Sequence, residues 1–112
     1  MFMNKNINSD RDVVYRLSGL TFMWDKEKGE LNEKKHKISF QEAATVFLDS
    51  DTEYIPDIEH SFNEERTIAV GYSENLNLLV VCHCLREDET IIRIFSAREA
   101  TKKEYKRFEE GV

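Results

Sequence analysis

The sequence predicts an α+β domain in which a small antiparallel β-sheet packs against two N-terminal helices and one C-terminal helix. After Ser39, apolar residues recur at the spacing of one helix face. From Ile68 to Phe95, alternating and continuous apolar runs have the period of half-buried and central strands. Because the chain has 112 residues, we expect one hydrophobic core and a function confined to one small surface.

The N-terminal part predicts an extension followed by a hairpin. Residues 1–12 are polar and lack periodicity, so we expect a flexible extension before a single domain over residues 13–112. Strand-like segments at Val13–Tyr15 and Leu20–Trp24 flank the turn sequence Ser18-Gly19. This pattern is typical of a hairpin or of a bent sheet edge.

Two helices are predicted next. Asp25 can cap a helix over Lys26–Lys37 that touches the core along a thin line. That line consists of Trp24, Leu31 and Ile38. Ser39 and Glu42 form a capping box for the second helix, whose apolar face packs on the sheet. That face consists of Phe40, Ala43, Ala44, Phe47 and Leu48.

An antiparallel meander is predicted in the second half. Pro56 marks an edge strand or a loop within the acidic stretch Asp49–Glu65. Residues 67–72 alternate with the period of a half-buried strand. Leu76–Leu85 is apolar at nearly every position, which indicates a central strand covered on both faces.

The last strand and the C-terminal helix are predicted to meet at Ser96. In the strand Thr90–Ser96, Arg93 falls on the face opposite its two isoleucine neighbours. Ser96 and Glu99 form a second capping box, so we expect the helix to begin there. One side of this helix consists of Ala97, Ala100, Thr101, Tyr105 and Phe108.

Composition excludes several classes of protein. A hydrophobic fraction of 40% and a charged fraction of 34% are those of a folded, soluble chain. No apolar run could span a bilayer and the polar start lacks a signal peptide, so we expect a cytoplasmic protein with no membrane partner. Cys82, His83 and Cys84 alternate across a strand, which predicts neither a disulfide nor a metal site. Nucleotide-binding motifs are absent from the sequence, and we expect no cofactor.

The charge distribution is uneven. The net charge of −6 is unfavourable for binding nucleic acid in general. Residues 49–65 hold seven acidic side chains and no Lys or Arg, whereas residues 98–107 hold five basic and two acidic ones. The pattern predicts an acidic lobe and a basic end, unless both are ordinary solvated faces. A further alternative is a structural protein that binds its partner through the acidic stretch.

From about Phe22 to Gly111 the sequence resembles the BrnT family of type II toxins. The resemblance rests on an ordered set of short motifs with family-like spacing. These motifs are Phe22-Met23-Trp24-Asp25, Asn32, Lys35-His36, Phe40-Gln41-Glu42-Ala43-Ala44, Val46-Phe47-Leu48-Asp49, Asp57, His60-Ser61, Glu64-Glu65-Arg66, Ile68, Gly71, Ser73, Val80-Val81, Arg93-Ile94, Ser96-Ala97-Arg98-Glu99-Ala100 and Glu104.

The resemblance implies a fold similar to the RelE class of ribonuclease toxins, with helices on one face of the sheet and RNA cleaved on the other. It implies a metal-independent endoribonuclease that is neutralised by a DNA-binding, BrnA-like antitoxin, as a homodimer or in a toxin–antitoxin heterotetramer. The alternative is a catalytically inactive module kept for antitoxin binding and operon control. The chain departs from the family at Lys37, where glycine is usual, at Asn77, where many members are basic, and in an N-terminal extension of about twenty residues.

Metal-free RNA cleavage requires a base near the 2′-hydroxyl, cations on the phosphate and an acid at the leaving oxygen. Arginine suits phosphate because its planar fork can donate two hydrogen bonds. The catalytic candidates are Arg93, Arg98 and Arg66, with His36 and Lys35 as proton-transfer or phosphate groups. The further RNA-binding candidates are Lys102, Lys103 and Arg86.

Most candidates have a structural alternative. Arg66 and Arg98 could pair with glutamates near them in sequence, and His36 could cap the free carbonyls of a helix end. The nuclease interpretation requires Arg93 and Arg98 to meet on an open face of the sheet. If the two side chains are buried apart, or if each is locked to a carboxylate, they cannot seat a phosphate and the nuclease interpretation fails, although the family resemblance stands.

Asp57, His60 and Ser61 could form a hydrolase triad, but residues this close in sequence rarely adopt triad geometry. A loop that these three side chains tie down is the better interpretation.

Overall fold

The computed structural model describes residues 11–61 and 64–111. The regular elements are β1 (Asp12–Leu17), β2 (Leu20–Asp25), α1 (Lys26–His36), α2 (Phe40–Thr45), β3 (Glu53–Pro56), β4 (Thr67–Tyr72), β5 (Leu78–Arg86), β6 (Ile91–Glu99) and α3 (Lys102–Glu110). Short 3-10 turns at Val46–Leu48 and Ile58–His60 complete this part of the chain. None of the described helices is long and apolar enough to cross a membrane.

The strands form one sheet in the order β1-β2-β6-β5-β4-β3, which confirms the predicted α+β class. Neighbouring strands are antiparallel except β2 and β6, which pair in parallel. The core lies between one face of the sheet and the two N-terminal helices. Its fully buried large side chains are Phe22, Ile38, Phe40, Val46, Leu79, Val81 and Ile94.

The N-terminal hairpin is confirmed. Ser18 and Gly19 both have positive φ, 49° and 82°, the requirement of the two-residue turn that matches strand twist. Strand β1 begins at Asp12, and residues 1–10 lie outside the described residues. The flexible extension over residues 1–12 and the single domain over 13–112 stay predictions.

Helix α1 has the predicted cap but a different contact line. The Asp25 carboxylate accepts from the Lys28 amide at 3.1 Å, as expected of an N-cap. Leu31 is exposed, so its predicted place in the contact line is wrong. Gly29 and Asn32 are the buried residues of α1. A side chain at Gly29 would press on the Trp24 ring, and its absence lets the helix lie close to the core.

Helix α2 is shorter than predicted and only half of its capping box forms. Ser39 accepts from the Glu42 amide, but the Glu42 carboxylate accepts hydrogen bonds from Ser73 and Asn77 instead of closing the box. After Thr45 the chain tightens into a 3-10 turn, which rotates Leu48 out of the predicted apolar face and exposes it.

Strand β3, which contains Pro56, is the edge strand predicted there. In β4 the small residues Ala69 and Gly71 are buried towards the helices, whereas the larger alternate side chains lie on the other face. A Cβ at Gly71 would overlap the Thr52 hydroxyl, which donates to the Val46 carbonyl at 2.7 Å. Glycine therefore lets this turn pack directly on the sheet.

The predicted boundary between β6 and the last helix is wrong. Strand β6 continues to Glu99, because residues 97–99 pair with β5. Helix α3 begins at Lys102 behind a capping box made by Thr101 and Glu104. Pairing with β5 thus overrides the helix start that Ser96 and Glu99 predict, and it buries Ala97 in the core.

A bulge in β6 sets which side chains share a face. Cys82 pairs with Ser96 but the next residue of β5 pairs with Ile94, so Phe95 is the extra residue. Ile94 and Ala97 both enter the core as a result. Arg93, Ser96 and Arg98 therefore lie on the face opposite the helices, here named the open face.

Asn32 takes the place of a neighbouring strand along β6. Strand β2 pairs with β6 only as far as Arg93. Beyond Arg93, the side-chain amide of Asn32 takes over the pairing. Its Nδ2 donates to the backbone carbonyl of Ala97 at 2.7 Å, and its Oδ1 accepts from the backbone N–H of Ala97 at 3.2 Å. It also donates to the Ile38 carbonyl at 3.1 Å. One buried side chain thus satisfies three backbone groups and anchors α1 to the sheet.

Replacement of Asn32 should destabilise the fold. We expect Asn32→Ala to lower the free energy of unfolding by about 2–4 kcal/mol, because buried backbone groups lose their partners. Asn32→Asp keeps the shape and the acceptor but loses both donated bonds, so it should also destabilise. Urea denaturation followed by far-UV circular dichroism measures both variants, and a loss under about 0.5 kcal/mol for Asn32→Ala would contradict this role.

Candidate active site

The open face carries a cavity of about 320 Å³. Strands β4, β5 and β6 supply its apolar floor, and the segment after β3 and the first turn of α1 supply polar groups. The lining residues are Lys28, Asp57, His60, Arg66, Ile68, Val80, Cys82, Phe95, Ser96 and Arg98. Cations, a histidine–carboxylate pair and a hydroxyl thus converge on one concave surface.

Arg66 lies on the cavity floor. Its guanidinium carbon stands 3.8 Å from the centre of the Phe95 ring, a cation–π geometry. Its Nε is buried and has no hydrogen-bond partner among the described residues. The predicted alternative, an ion pair of Arg66 with Glu64 or Glu65, does not form among residues 11–61 and 64–111, and the Glu64 carboxylate holds Arg86 instead. Arg66 therefore lines the cavity without a carboxylate partner.

Arg98 reaches the cavity from β6 and is held by α3. Its guanidinium donates to both Glu104 carboxylate oxygens, at 2.8 and 3.0 Å, rather than to the Glu99 carboxylate considered in the sequence. The pair stays 40% and 38% exposed. The hydrogen bond from Arg98 lowers the pKa of Glu104 to about 2, although partial burial opposes the shift. Arg98 is therefore charged and partly reachable by solvent.

Asp57 and His60 form a close pair at the cavity rim. The 3-10 turn after Asp57 brings the imidazole Nδ1 to 2.9 and 3.1 Å from the two carboxylate oxygens. Ser61 donates to the Asp57 carbonyl and accepts from the Arg66 amide, as the loop interpretation predicted. Asp57 is buried while the His60 side chain is 60% exposed, so the ring can meet a bound molecule.

Cys82 and His83 lie on opposite faces of β5. Burial raises the pKa of the Cys82 thiol to about 11, and its Sγ contacts the Asp57 carboxylate at 3.4 Å. His83 packs edge-on against Phe47 in the core, and burial lowers its pKa. The Cys82 thiol is therefore protonated at neutral pH.

Arg93 lies on the open face but outside the cavity. Its Nη2 donates to the Asp12 carboxylate at 3.1 Å, and the two side chains are only 16% and 10% exposed. Arg93 and Arg98 therefore do not meet in the cavity, contrary to the requirement stated for a nuclease based on these two residues. Each contacts a carboxylate, which is enclosed for Arg93 and about 40% exposed for Arg98.

The other predicted site residues lie away from the cavity. Lys35 and His36 end α1, where Lys35 is exposed. Arg86 ends β5 and pairs with Glu64 at 2.9 Å. Lys102 and Lys103 are exposed in the first turn of α3. The structure thus brings Arg66 and Arg98 together and separates them from Arg93, His36 and Lys35, whose site roles stay predictions.

A family model for the ribonuclease toxin BrnT of type II toxin–antitoxin systems matches residues 24–104. The chain belongs to this family. The match spans the N-terminal caps of α1 and α3 and every residue of the cavity. A search of curated proteins finds no significant match. The family makes the chain a toxin of the ribonuclease class that works with an antitoxin partner.

Sequence reasoning missed two parts of the cavity. Nothing in the sequence points to Lys28, because only the packing of α1 beside β6 places this side chain at the cavity. For Asp57 and His60 the sequence favours a role in tying down a loop. Their three-residue spacing was the available signal, since one 3-10 turn places side chains with that spacing side by side.

The contact between Arg98 and Glu104 should make the free energy of unfolding depend on pH in the acid range. The pKa of Glu104 is lowered from 4.5 to about 2, so its stabilising contribution is complete above about pH 4.5 and disappears as pH falls towards 2. The side chain of Glu104→Gln cannot titrate, so this variant is the reference. The free energy of unfolding of the wild type should exceed that of Glu104→Gln by about 0.5–1 kcal/mol near neutral pH, and by less near pH 3. Thermal melting at both pH values tests this, and an unchanged difference would contradict it.

Proposed function

We propose that this toxin is an endoribonuclease that cleaves RNA in the open-face cavity without a metal ion. The observation that carries the proposal is the convergence of Arg66, Arg98 and the Asp57–His60 pair around one cavity. Cleavage by the adjacent 2′-hydroxyl needs phosphate ligands and a group that exchanges a proton, and these residues are of the right types. The antitoxin is proposed to be DNA-binding and BrnA-like, and the toxin to act in the cytoplasm.

The arginines act on the phosphate in this proposal. The Arg66 guanidinium lines the cavity and binds a non-bridging oxygen, and its contact with the Phe95 ring fixes the plane of the guanidinium. Arg98 gives up part of its contact with Glu104 when phosphate binds, a small loss because water reaches about 40% of both side chains. Lys28 adds a third positive charge at the rim.

His60 moves the proton. The Asp57 carboxylate accepts from Nδ1–H and so leaves Nε2 to take the proton of the 2′-hydroxyl or to protonate the leaving oxygen. The buried carboxylate also stabilises the imidazolium that forms when the ring acts as base. Ser96 offers a neutral hydroxyl on the same wall. The side chains of the cavity therefore supply the phosphate ligands and one of the two proton-transfer groups.

A cleavage assay with single-stranded RNA in the presence of a chelator tests the proposal. We expect Arg66→Ala to slow cleavage about a hundredfold or more, and His60→Ala by about 10²–10⁴-fold. Products should carry 2′,3′-cyclic phosphate, which mass spectrometry detects. Arg16→Ala, an exposed residue of β1, is the matched arginine control and should cleave like wild type.

The variants His36→Ala and Arg93→Ala separate the cavity from the assignment made on sequence. If cleavage falls with these two and survives His60→Ala and Arg66→Ala, the cavity is not the active site. The melting temperature of every variant must lie well above the assay temperature, so that lost activity is not lost folding; Arg93→Ala is expected to melt lower than the others, because it leaves Asp12 without this partner. Loss of activity in the chelator alone would overturn the metal-independent mechanism.

A second candidate function is an inactive module that binds the antitoxin and regulates the operon. The observation that favours it is the carboxylate on each of Arg93 and Arg98, together with the net charge of −6. Wild-type protein that folds but leaves RNA intact at any tested concentration would support this function over the nuclease.

A further inference from the structure

The turn and strand around β3 gather exposed apolar side chains. Four of the nine large hydrophobic residues that are exposed in the described chain lie between residues 48 and 58. Ile58 is 87% exposed, the highest value among them. Large apolar groups cost free energy in water, and their concentration along one edge of the sheet marks a contact site for another molecule. These residues are Leu48, Tyr54, Ile55 and Ile58.

Unpaired acidic side chains lie between them. Asp51, Glu53 and Glu59 are exposed, and none has an ion-pair partner among residues 11–61 and 64–111. No Lys or Arg occurs from residue 49 to residue 65. We name the set Leu48, Asp51, Glu53, Tyr54, Ile55, Ile58 and Glu59 the β3 surface. It is apolar and anionic together.

The backbone of β3 also faces outwards. β3 is the last strand of the sheet as described, and pairs only with β4. The Asp57 amide donates to the Arg66 carbonyl, so in an antiparallel ladder the backbone groups of Ile55 face β4 and those of Tyr54 and Pro56 face away. The amide and carbonyl of Tyr54 and the carbonyl of Pro56 can pair with an added strand.

These features select one kind of occupant. RNA is anionic and would be repelled by the carboxylates of the β3 surface. A second copy of this chain would bring the same carboxylates against them. An extended segment with alternating Lys or Arg and aliphatic residues satisfies the charges, the apolar side chains and the free backbone groups.

We propose that the β3 surface binds an extended, cationic and partly apolar segment of the antitoxin, which adds a strand to the sheet. Asp57, the residue that follows β3, lines the cavity with His60. A segment bound along β3 therefore reaches the rim of the cavity and restricts access to it. This consequence for inhibition rests on the proposed nuclease function, whereas the binding itself does not.

A short capped peptide of alternating lysine and valine serves as the probe. Titrated into the ¹⁵N-labelled full chain, it should shift the amide signals of β3, with Tyr54 among the largest. The double substitution Asp51→Lys, Glu53→Lys should weaken binding about tenfold or more, because each side chain changes from attraction to repulsion. Ile58→Ser alters no charge and should weaken binding about threefold.

Two controls make the result decisive. Glu30→Lys with Glu33→Lys on exposed positions of α1 gives the same change in net charge and should leave binding within about twofold. A peptide with glutamate in place of lysine should not bind. Equal weakening by both double variants, binding of the glutamate peptide, or a shift pattern centred away from β3 would each overturn the proposal.

Measuring RNA cleavage by the same variants distinguishes a failure of this proposal from a failure of the proposed nuclease function. The Asp51→Lys, Glu53→Lys chain should cleave RNA at least as fast as wild type, and the lysine–valine peptide should inhibit only the wild type. If neither chain cleaves RNA, the nuclease fails while the peptide shifts still test the surface. If the substitutions mainly change RNA binding, the β3 surface belongs to RNA and the antitoxin proposal is wrong.

Discussion

The arrangement of the molecule depends on the contact between Asn32 and the backbone of Ala97. A strand cannot continue beside β6 after Arg93, because the chain leaves β2 to form α1. The backbone of β6 would then face the core with unpaired groups, at a cost of about 1–3 kcal/mol for each one. The carboxamide has one acceptor and two donors and meets this need from a helix. The same contact fixes the rotation of α1 and so aims Lys28 at the cavity.

The bulge at Phe95 is the second constraint, and it acts on the chemistry directly. With regular alternation, a strand that buries Ile94 would also send Arg98 into the core, where a charge is costly. The extra residue shifts the alternation by one position, so that Ala97 points into the core and Arg98 lies on the open face. Phe95 itself becomes the ring under Arg66. A single irregularity thus supplies both the position of one cation and the platform of another.

The sequence predicted correctly those features that depend only on residues close together in the chain. The Ser18-Gly19 hairpin, the caps at Asp25 and Ser39 and the edge position of Pro56 need only neighbouring residues, and the structure has all of them. The parallel pairing of β2 with β6, the bulge and the extension of β6 past Ser96 depend on partners many residues away, which no short pattern encodes. The candidate site divides in the same way. Arginine chemistry could be predicted, but which arginines share a cavity follows from the register of strands.

The two carboxylate contacts of the arginines differ in what they permit. Arg93 and Asp12 are nearly enclosed, and removing one partner of such a pair strands a charge at a cost of several kcal/mol. That contact ties β6 to β1 and makes exchange for a phosphate unfavourable. Arg98 and Glu104 are about 40% exposed, where ion pairs contribute about 0–1 kcal/mol and water can solvate either partner. A phosphodiester that also reaches Arg66 can compete for Arg98, because its two non-bridging oxygens can accept hydrogen bonds from both guanidinium groups at once. Net charge is therefore a poor guide to this toxin: its acidic excess includes the β3 surface, while the cavity on the open face contains three cationic side chains.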